Sequence, residues 1–203
     1  MPSPYSIVNI REYLDKSKPT YIGEQSLYDI LSEFSCPPNP DVEHFLLHNS
    51  IEFTKKSQSV TYLVFHDVTG DLSGYFALAM KPISVRASSL SKTMAKRLAR
   101  VSVWNEETNT YTTSAYLIAQ IGKNFSIPKE RRISGSDLLD LAIDIVASAN
   151  YIVGGAIEFL ECEDKTVLMD FYTGNGFKFF DTRITSSSND TEPHLLNQLL
   201  KFI

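Results

Sequence analysis

Apolar residues recur along this chain with two periods, one helical and one alternating. In EQSLYDILSEFS, Leu27, Ile30, Leu31 and Phe34 lie three or four apart, the spacing of a helix with one buried face. The prolines of CPPNPD cannot continue that helix and stop it. DVEHFLLHNSIEFTKKS predicts a second helix, with Asp41 as its N-cap. The pattern then changes. SVTYLVFHD and GYFALAMKPISV are dense in β-branched and aromatic residues, and Asp67 to Gly74 between them carries turn chemistry, so an antiparallel hairpin is predicted. SSLSKTMAKRLARVS predicts a helix with exposed basic residues, and WNEETNTYTTS a polar connector.

From Ala115 onward the two periods alternate. AYLIAQIGK reads as a buried strand. PKERRISGSDLLDLAIDIVASA reads as a basic loop opening a helix, with Leu138, Leu139, Leu141, Ala142 and Ile145 on one apolar face. YIVGGAIEFLE is a second apolar strand, followed by a short helix closed by FYTGNGF, a strand in KFFDTRI and a polar loop in TSSSNDTEP. Two segments stay open. HLLNQLLKFI suits a strand or a short helix, and SIVNIREYLDKSKP suits a helix or a strand end through Ile7, Ile10 and Leu14. Helices and a hairpin followed by strand–helix–strand–helix–strand predict one α/β (α+β) domain over residues 1–203.

Composition narrows the class. A chain of 203 residues can bury one sizeable core. No apolar run approaches the roughly 18 residues that span a membrane, and MPSPYSIVNIREYLDK lacks the basic start and apolar core of a secretory signal. Cys36 and Cys162 have no metal-ligand spacing and read as free thiols, so a cytoplasmic protein is expected. A net charge of −5 argues against a dedicated nucleic-acid binder. Two local basic clusters remain, Lys92, Lys96, Arg97 and Arg100, and Lys129, Arg131 and Arg132.

The loop ahead of the long helix is the first candidate for chemistry. N–H groups of a first helical turn point outward, the helix dipole favours negative charge there, and Gly135 lets a ligand approach the backbone. An ordinary helix start with solvated arginines gives the same pattern. The segment matches neither GxxxxGK[ST] nor GxGxxG, so nucleotide hydrolysis and hydride transfer lack support. Tyr172, ahead of a glycine turn, is either a packing residue or a proton donor. His44 and His48 are four apart, but no third ligand is evident and no metal is expected. Glu158, Glu161, Glu163 and Asp164 cluster on one strand, as a solvated strand end or a source of one base.

Taken together, Ala115 to Phe177 resembles the core of the GCN5-related N-acetyltransferase superfamily. GSDLL at Gly135–Leu139 resembles the end of the family's (Arg/Gln)-x-x-Gly-x-(Gly/Ala) motif, and FYTGNGF resembles its Phe-Tyr-x-x-x-Gly-Phe. The resemblance implies a mostly antiparallel central sheet flanked by helices, with a splayed strand pair holding acetyl-CoA as cosubstrate. It implies that the backbone of Arg131, Arg132, Ile133, Ser134, Gly135 and Ser136 cradles the pyrophosphate. Ile121, Gly122 and Lys123 would pair with the pantetheine arm, and Tyr172 would be the general acid. The chain departs from the motif at Glu130 and Ile133, and it has Lys165 where an asparagine is common. The implied activity is acetyl transfer to a primary amine, with Glu158 or Glu161 as the candidate base. A CoA-binding module without catalysis is the alternative that the departures favour. Upstream, SCPPNPDVEHFLLHNS and the two hairpin strands resemble acetyltransferase toxins of toxin–antitoxin pairs, which implies aminoacyl-tRNA as a possible acceptor. A homodimer is also compatible.

Overall fold

The computed structural model describes residues 3–185 and 195–203. In chain order it contains β1 (Tyr5–Asn9), α1 (Ile10–Leu14), α2 (Gly23–Leu31) and α3 (Pro40–His44). A π-helical turn (Phe45–Asn49) continues α3 into α4 (Ser50–Lys55). Then come β2 (Val60–His66), β3 (Leu72–Arg86), α5 (Lys92–Leu98), β4 (Val103–Asn105), β5 (Thr110–Lys123) and α6 (Gly135–Val153). The last elements are β6 (Ile157–Glu163), α7 (Thr166–Gly174), β7 (Lys178–Ile184) and β8 (Leu195–Phe202). Among the described residues the strands follow the order β1-β2-β3-β5-β6-β8-β7, with β4 paired to β5. The β1·β2, β2·β3, β4·β5, β6·β8 and β7·β8 pairs are all antiparallel. No described helix is long and apolar enough to cross a membrane.

The chain divides into two compact units. The first comprises Met1–Ala79 and Ile118–Ile145. Its core gathers Ile10, Leu27, Leu31, Phe34, Leu46, Leu63 and Tyr75. The predicted hairpin is present, with Leu63 opposite Tyr75. The open N-terminal segment is strand and then helix: Asn9 ends β1, and its side chain accepts from the Arg11 N–H at 3.0 Å to cap α1. The predicted Asp41 cap is corrected to Asn39, whose side chain accepts from the Val42 N–H. Pro40 explains the shift. It takes the first helical position, where its missing N–H costs nothing.

The second unit comprises Met80–Leu117 and Val146–Ile203. Ile83, Val85, Leu98, Ala115, Ile157, Phe159, Phe180 and Leu200 form its core. Two expectations change here. The supposed connector is a hairpin, in which β4 pairs with the start of β5 and Trp104 packs on Tyr111 with ring centroids 4.7 Å apart. Tyr151, Ile152 and Val153 begin no strand; they are the last turn of α6. Gly154 and Gly155 then break the helix at φ +75° and +117°, a left-handed region that favours glycine. A Cβ on Gly155 would lie 2.7 Å from the Tyr116 ring, whose hydroxyl donates to the Gly154 carbonyl. β6 therefore starts only at Ile157. HLLNQLLKFI is a strand from Leu195, with Leu200 opposite both Phe159 of β6 and Lys178 of β7. The loop predicted over TSSSNDTEP falls, after Thr185, outside the described residues.

Candidate functional site

In the first unit, β5 ends at Lys123 and the chain reaches α6 through a braced loop. Asn124 begins it, almost fully buried. Its Nδ2 donates to the Glu33 and Leu72 carbonyls at 3.0 and 2.8 Å, and its Oδ1 accepts from the Ser35 and Ser126 amides. Arg132 closes the loop, with Nε donating to the Ile127 carbonyl at 2.7 Å and a terminal nitrogen to the Phe125 carbonyl at 2.8 Å. Arg131 pairs with Asp71 at 2.8 Å. Both arginines are thus engaged with the protein itself.

The amides that remain are those of the helix start. Ser134 caps α6: its hydroxyl accepts from the Asp137 N–H at 3.0 Å and donates to the Asp137 carboxylate at 2.7 Å. Its carbonyl takes the Leu138 N–H. Among the described residues, the N–H groups of Ile133, Ser134, Gly135 and Ser136 find no acceptor in the protein. The Ile133 side chain is buried, so only its backbone is open to a ligand. The Asp137 carboxylate lies in the same turn and takes up part of the field an anion would use. This serine–aspartate cap is legible in the sequence as an S-x-x-D pattern ahead of an apolar run. Asn124 carries no such local signal, because its partners are distant in sequence.

Ile121, Gly122 and Lys123 form the last turn-ward stretch of β5. Gly122 has a packing reason of its own. A Cβ there would lie 2.4 Å from Val42 Cγ1 and 3.2 Å from Phe34 Cζ. Across the same unit, a Cβ on Gly74 would lie 2.7 Å from the Gly122 carbonyl oxygen, so two strands meet here through glycines. The Lys123 ammonium lies 5.8 Å from the centre of the Phe125 ring.

In the second unit, Tyr172 lies on α7 and is 7% exposed. Phe171 and Phe177 meet its ring edge-on, at centroid distances of 5.0 and 6.1 Å. Gly176, at φ +89°, closes the helix, and the Phe177 N–H returns to the Tyr172 carbonyl at 3.1 Å. Burial, and after it the nearby Cys162 thiol, hold the phenol well above its ordinary pKa, so it is protonated at neutral pH. Its hydroxyl has no partner among the described residues, yet it is not one of the enclosed unpartnered polar atoms.

Of the four carboxylates, Glu163 and Asp164 do form a solvated strand end, Glu163 paired with Lys165, whereas Glu158 and Glu161 do not. Glu161 is held by Arg183 at 2.6 and 2.5 Å and by Gln198 at 2.8 Å, with Lys81 3.7 Å away. Burial pushes its pKa up, but these donors and charges outweigh it, and the carboxyl ionises below its usual range. Glu158 differs. It is 2% exposed, its Oε2 accepts no hydrogen bond, and Lys201 stands 3.7 Å off. Burial raises its pKa despite Lys201. Cys36 and Cys162 are free buried thiols, and burial followed by Asp164 and Glu163 raises Cys162 to about 11. The His44 and His48 rings are 4.6 Å apart, and no metal-holding group of three ligands occurs among the described residues.

Neither a protein-family model nor a curated protein matches the sequence. Solved structures do match its shape. The toxin AtaT complexed with acetyl-methionyl-tRNAfMet superposes with a TM-score of 0.61 at 15% identity, over 95% of this chain and 93% of that one. A tyrosine-to-phenylalanine mutant of AtaT, bound to the C-terminus of the antitoxin AtaR and acetyl-CoA, gives 0.58 at 15% identity over 98% and 94%. A tyrosine-to-phenylalanine mutant of KacT gives 0.62 at 16% identity over 97% and 95%. This is a GCN5-related N-acetyltransferase fold. At such identities the likeness speaks for the fold alone.

Proposed function

We propose that the chain is an acetyl-CoA-dependent N-acetyltransferase acting on a primary amine. The observation that carries this reading is the likeness over nearly the whole chain to toxins solved with acetyl-CoA or with an acetylated aminoacyl-tRNA. Two local features support it: the acceptor-free amides of Ile133–Ser136 at the start of a 19-residue helix, and the protonated, unpartnered hydroxyl of Tyr172. The amides of Ile133 to Ser136 would hold the pyrophosphate oxygens, and the β5 stretch Ile121–Lys123 would pair with the pantetheine arm; the Arg131 and Arg132 N–H groups expected in the cradle already donate to the Pro128 and Lys129 carbonyls. Arg131 and Arg132 act here as braces, which favours the backbone amides over their side chains as the phosphate donors.

In the reaction, the neutral amine nitrogen attacks the thioester carbonyl carbon. A C–N bond forms, an oxyanion develops, and a backbone N–H near Ile121–Lys123 stabilises it. The C–S bond then breaks, and Tyr172 gives its proton to the departing thiolate. The ammonium formed at the acceptor loses its proton to water or to a carboxylate. Glu158 is the better candidate than Glu161, which three hydrogen-bond donors already occupy.

Aminoacyl-tRNA is the second acceptor to test, because AtaT was solved with acetyl-methionyl-tRNAfMet. Incubation with radiolabelled acetyl-CoA and a panel of polyamines, peptides and charged tRNAs checks both readings. Label transferred to one class of amine establishes the activity and its acceptor. Acetyl-CoA binding by calorimetry with no transfer to any of them would leave a cofactor-binding module.

A further inference from the structure

The second unit contains an open pocket of about 440 Å3, which borders the Tyr172 helix through Gly176 and Glu158 through its neighbour Lys201 but is lined by neither Tyr172 nor Glu158. Its volume is within the range of about 300–1,000 Å3 usual for small-molecule sites. One wall is α5, where Thr93 and Arg97, four apart, share a helical face, with Ser91 just ahead of them. The other wall is the end of the β7·β8 ladder, where Lys178 opens β7 and Lys201 and Phe202 finish β8.

Three cations line this pocket and no carboxylate does. Arg97 lays its guanidinium 4.1 Å from the centre of the Phe202 ring. Neither Arg97 nor Lys178 has an acidic partner among the described residues. Lys201 has one carboxylate near it, Glu158 at 3.7 Å, a distance too long for a good hydrogen bond. In a chain of net charge −5, a concavity of one sign is not a matter of composition. Converging cations repel one another, and a bound anion relieves that repulsion. Arg97 and the two lysines offer the donors a tetrahedral oxyanion requires, with hydroxyls at Ser91 and Thr93. The stacked Arg97–Phe202 pair adds a flat surface on which a planar ring can lie.

We propose that this pocket binds a phosphate group of a nucleotide, free or within an RNA strand. Binding here does not require that acetyl transfer occur, and the variant below leaves Tyr172, Glu158 and Lys201 in place. The test compares the full-length chain with its Arg97→Gln/Lys178→Gln variant; both side chains are exposed, so the fold should survive. Calorimetry is run with inorganic phosphate, with AMP and with a short single-stranded oligoribonucleotide, each with and without saturating acetyl-CoA. A loss of about tenfold or more in affinity with an unchanged melting temperature is expected. Loss seen with phosphate and AMP assigns a free nucleotide. Loss seen with the oligoribonucleotide alone, together with a shallower salt dependence, assigns the strand backbone. Equal binding by both proteins, or no binding of any probe at millimolar concentration, would overturn the proposal. So would displacement of the probe by acetyl-CoA, which would give these cations to the acetyl donor.

Discussion

Arg132 grips the backbone of Phe125 and covers its ring at once: a terminal nitrogen donates to the Phe125 carbonyl at 2.8 Å, and the guanidinium lies 4.9 Å from the ring centre. With the second bond, to Ile127, this fixes the path from β5 to α6. Arg132→Ala should lower stability by about 1–3 kcal/mol, since hydrogen bonds to charged groups are among the stronger ones. It should also raise the Kd for acetyl-CoA, because the amides of Ile133–Ser136 lose their support. Urea unfolding and calorimetry measure the two effects. Unchanged acetyl-CoA affinity in a destabilised variant would confine Arg132 to folding.

Tyr172 gives a cleaner separation. Its hydroxyl has no partner in the protein, so Tyr172→Phe should leave stability within about 0.5 kcal/mol. Turnover should fall roughly 10- to 10⁴-fold if the phenol is the general acid. Steady-state kinetics with whichever acceptor the labelling panel identifies decides this; wild-type kcat in the variant would remove Tyr172 from the mechanism.

Gly122 and Val42 are a coupled pair. Gly122→Ala should destabilise by about 1–3 kcal/mol, because the new methyl lands 2.4 Å from Val42 Cγ1. Val42→Ala removes the obstructing carbon. The double variant should then be more stable than the sum of the two single losses, by about 0.5 kcal/mol or more. Strict additivity would mean that the strain is absorbed elsewhere.

Glu158 predicts a pH dependence of definite sign. Burial raises its folded pKa above the unfolded value of about 4.3. The folded chain holds this proton more tightly, so the resulting stabilisation is complete below the unfolded value and is lost as pH rises through the folded one. Glu158→Gln stays neutral throughout. Its stability relative to the wild type should therefore climb as pH rises above about 4.3 and then level off. Urea unfolding at a series of pH values tests this. A difference independent of pH would show that Glu158 titrates alike in both states.

Sequence pattern made the order of elements legible wherever burial was periodic. The hairpin of β2 and β3, the apolar face of α6 and the tyrosine-to-glycine end of α7 all follow from local spacing. The misses share a cause. Tyr151 to Val153 are apolar and look like strand, but they are 73–92% exposed at the end of a helix, and only tertiary context ends that helix at Gly154. The β4 hairpin rests on three residues, too few for an alternating signal. At the candidate site the resemblance drew attention to Arg131 and Arg132, which brace the loop, while Asn124 went unnoticed. Its partners at Glu33, Ser35 and Leu72 are separated from it by tens of residues, and no local pattern announces them.

The place of β8 between β6 and β7 has a consequence for biosynthesis. β8 follows both of its partners in the chain, yet it is an inner strand of the ladder, not an edge. A nascent chain that has not yet emitted Leu195 to Phe202 carries β6 and β7 with their facing sides bare. Both must wait for β8, so truncation ahead of Leu195 would leave open strand edges, which are prone to aggregate.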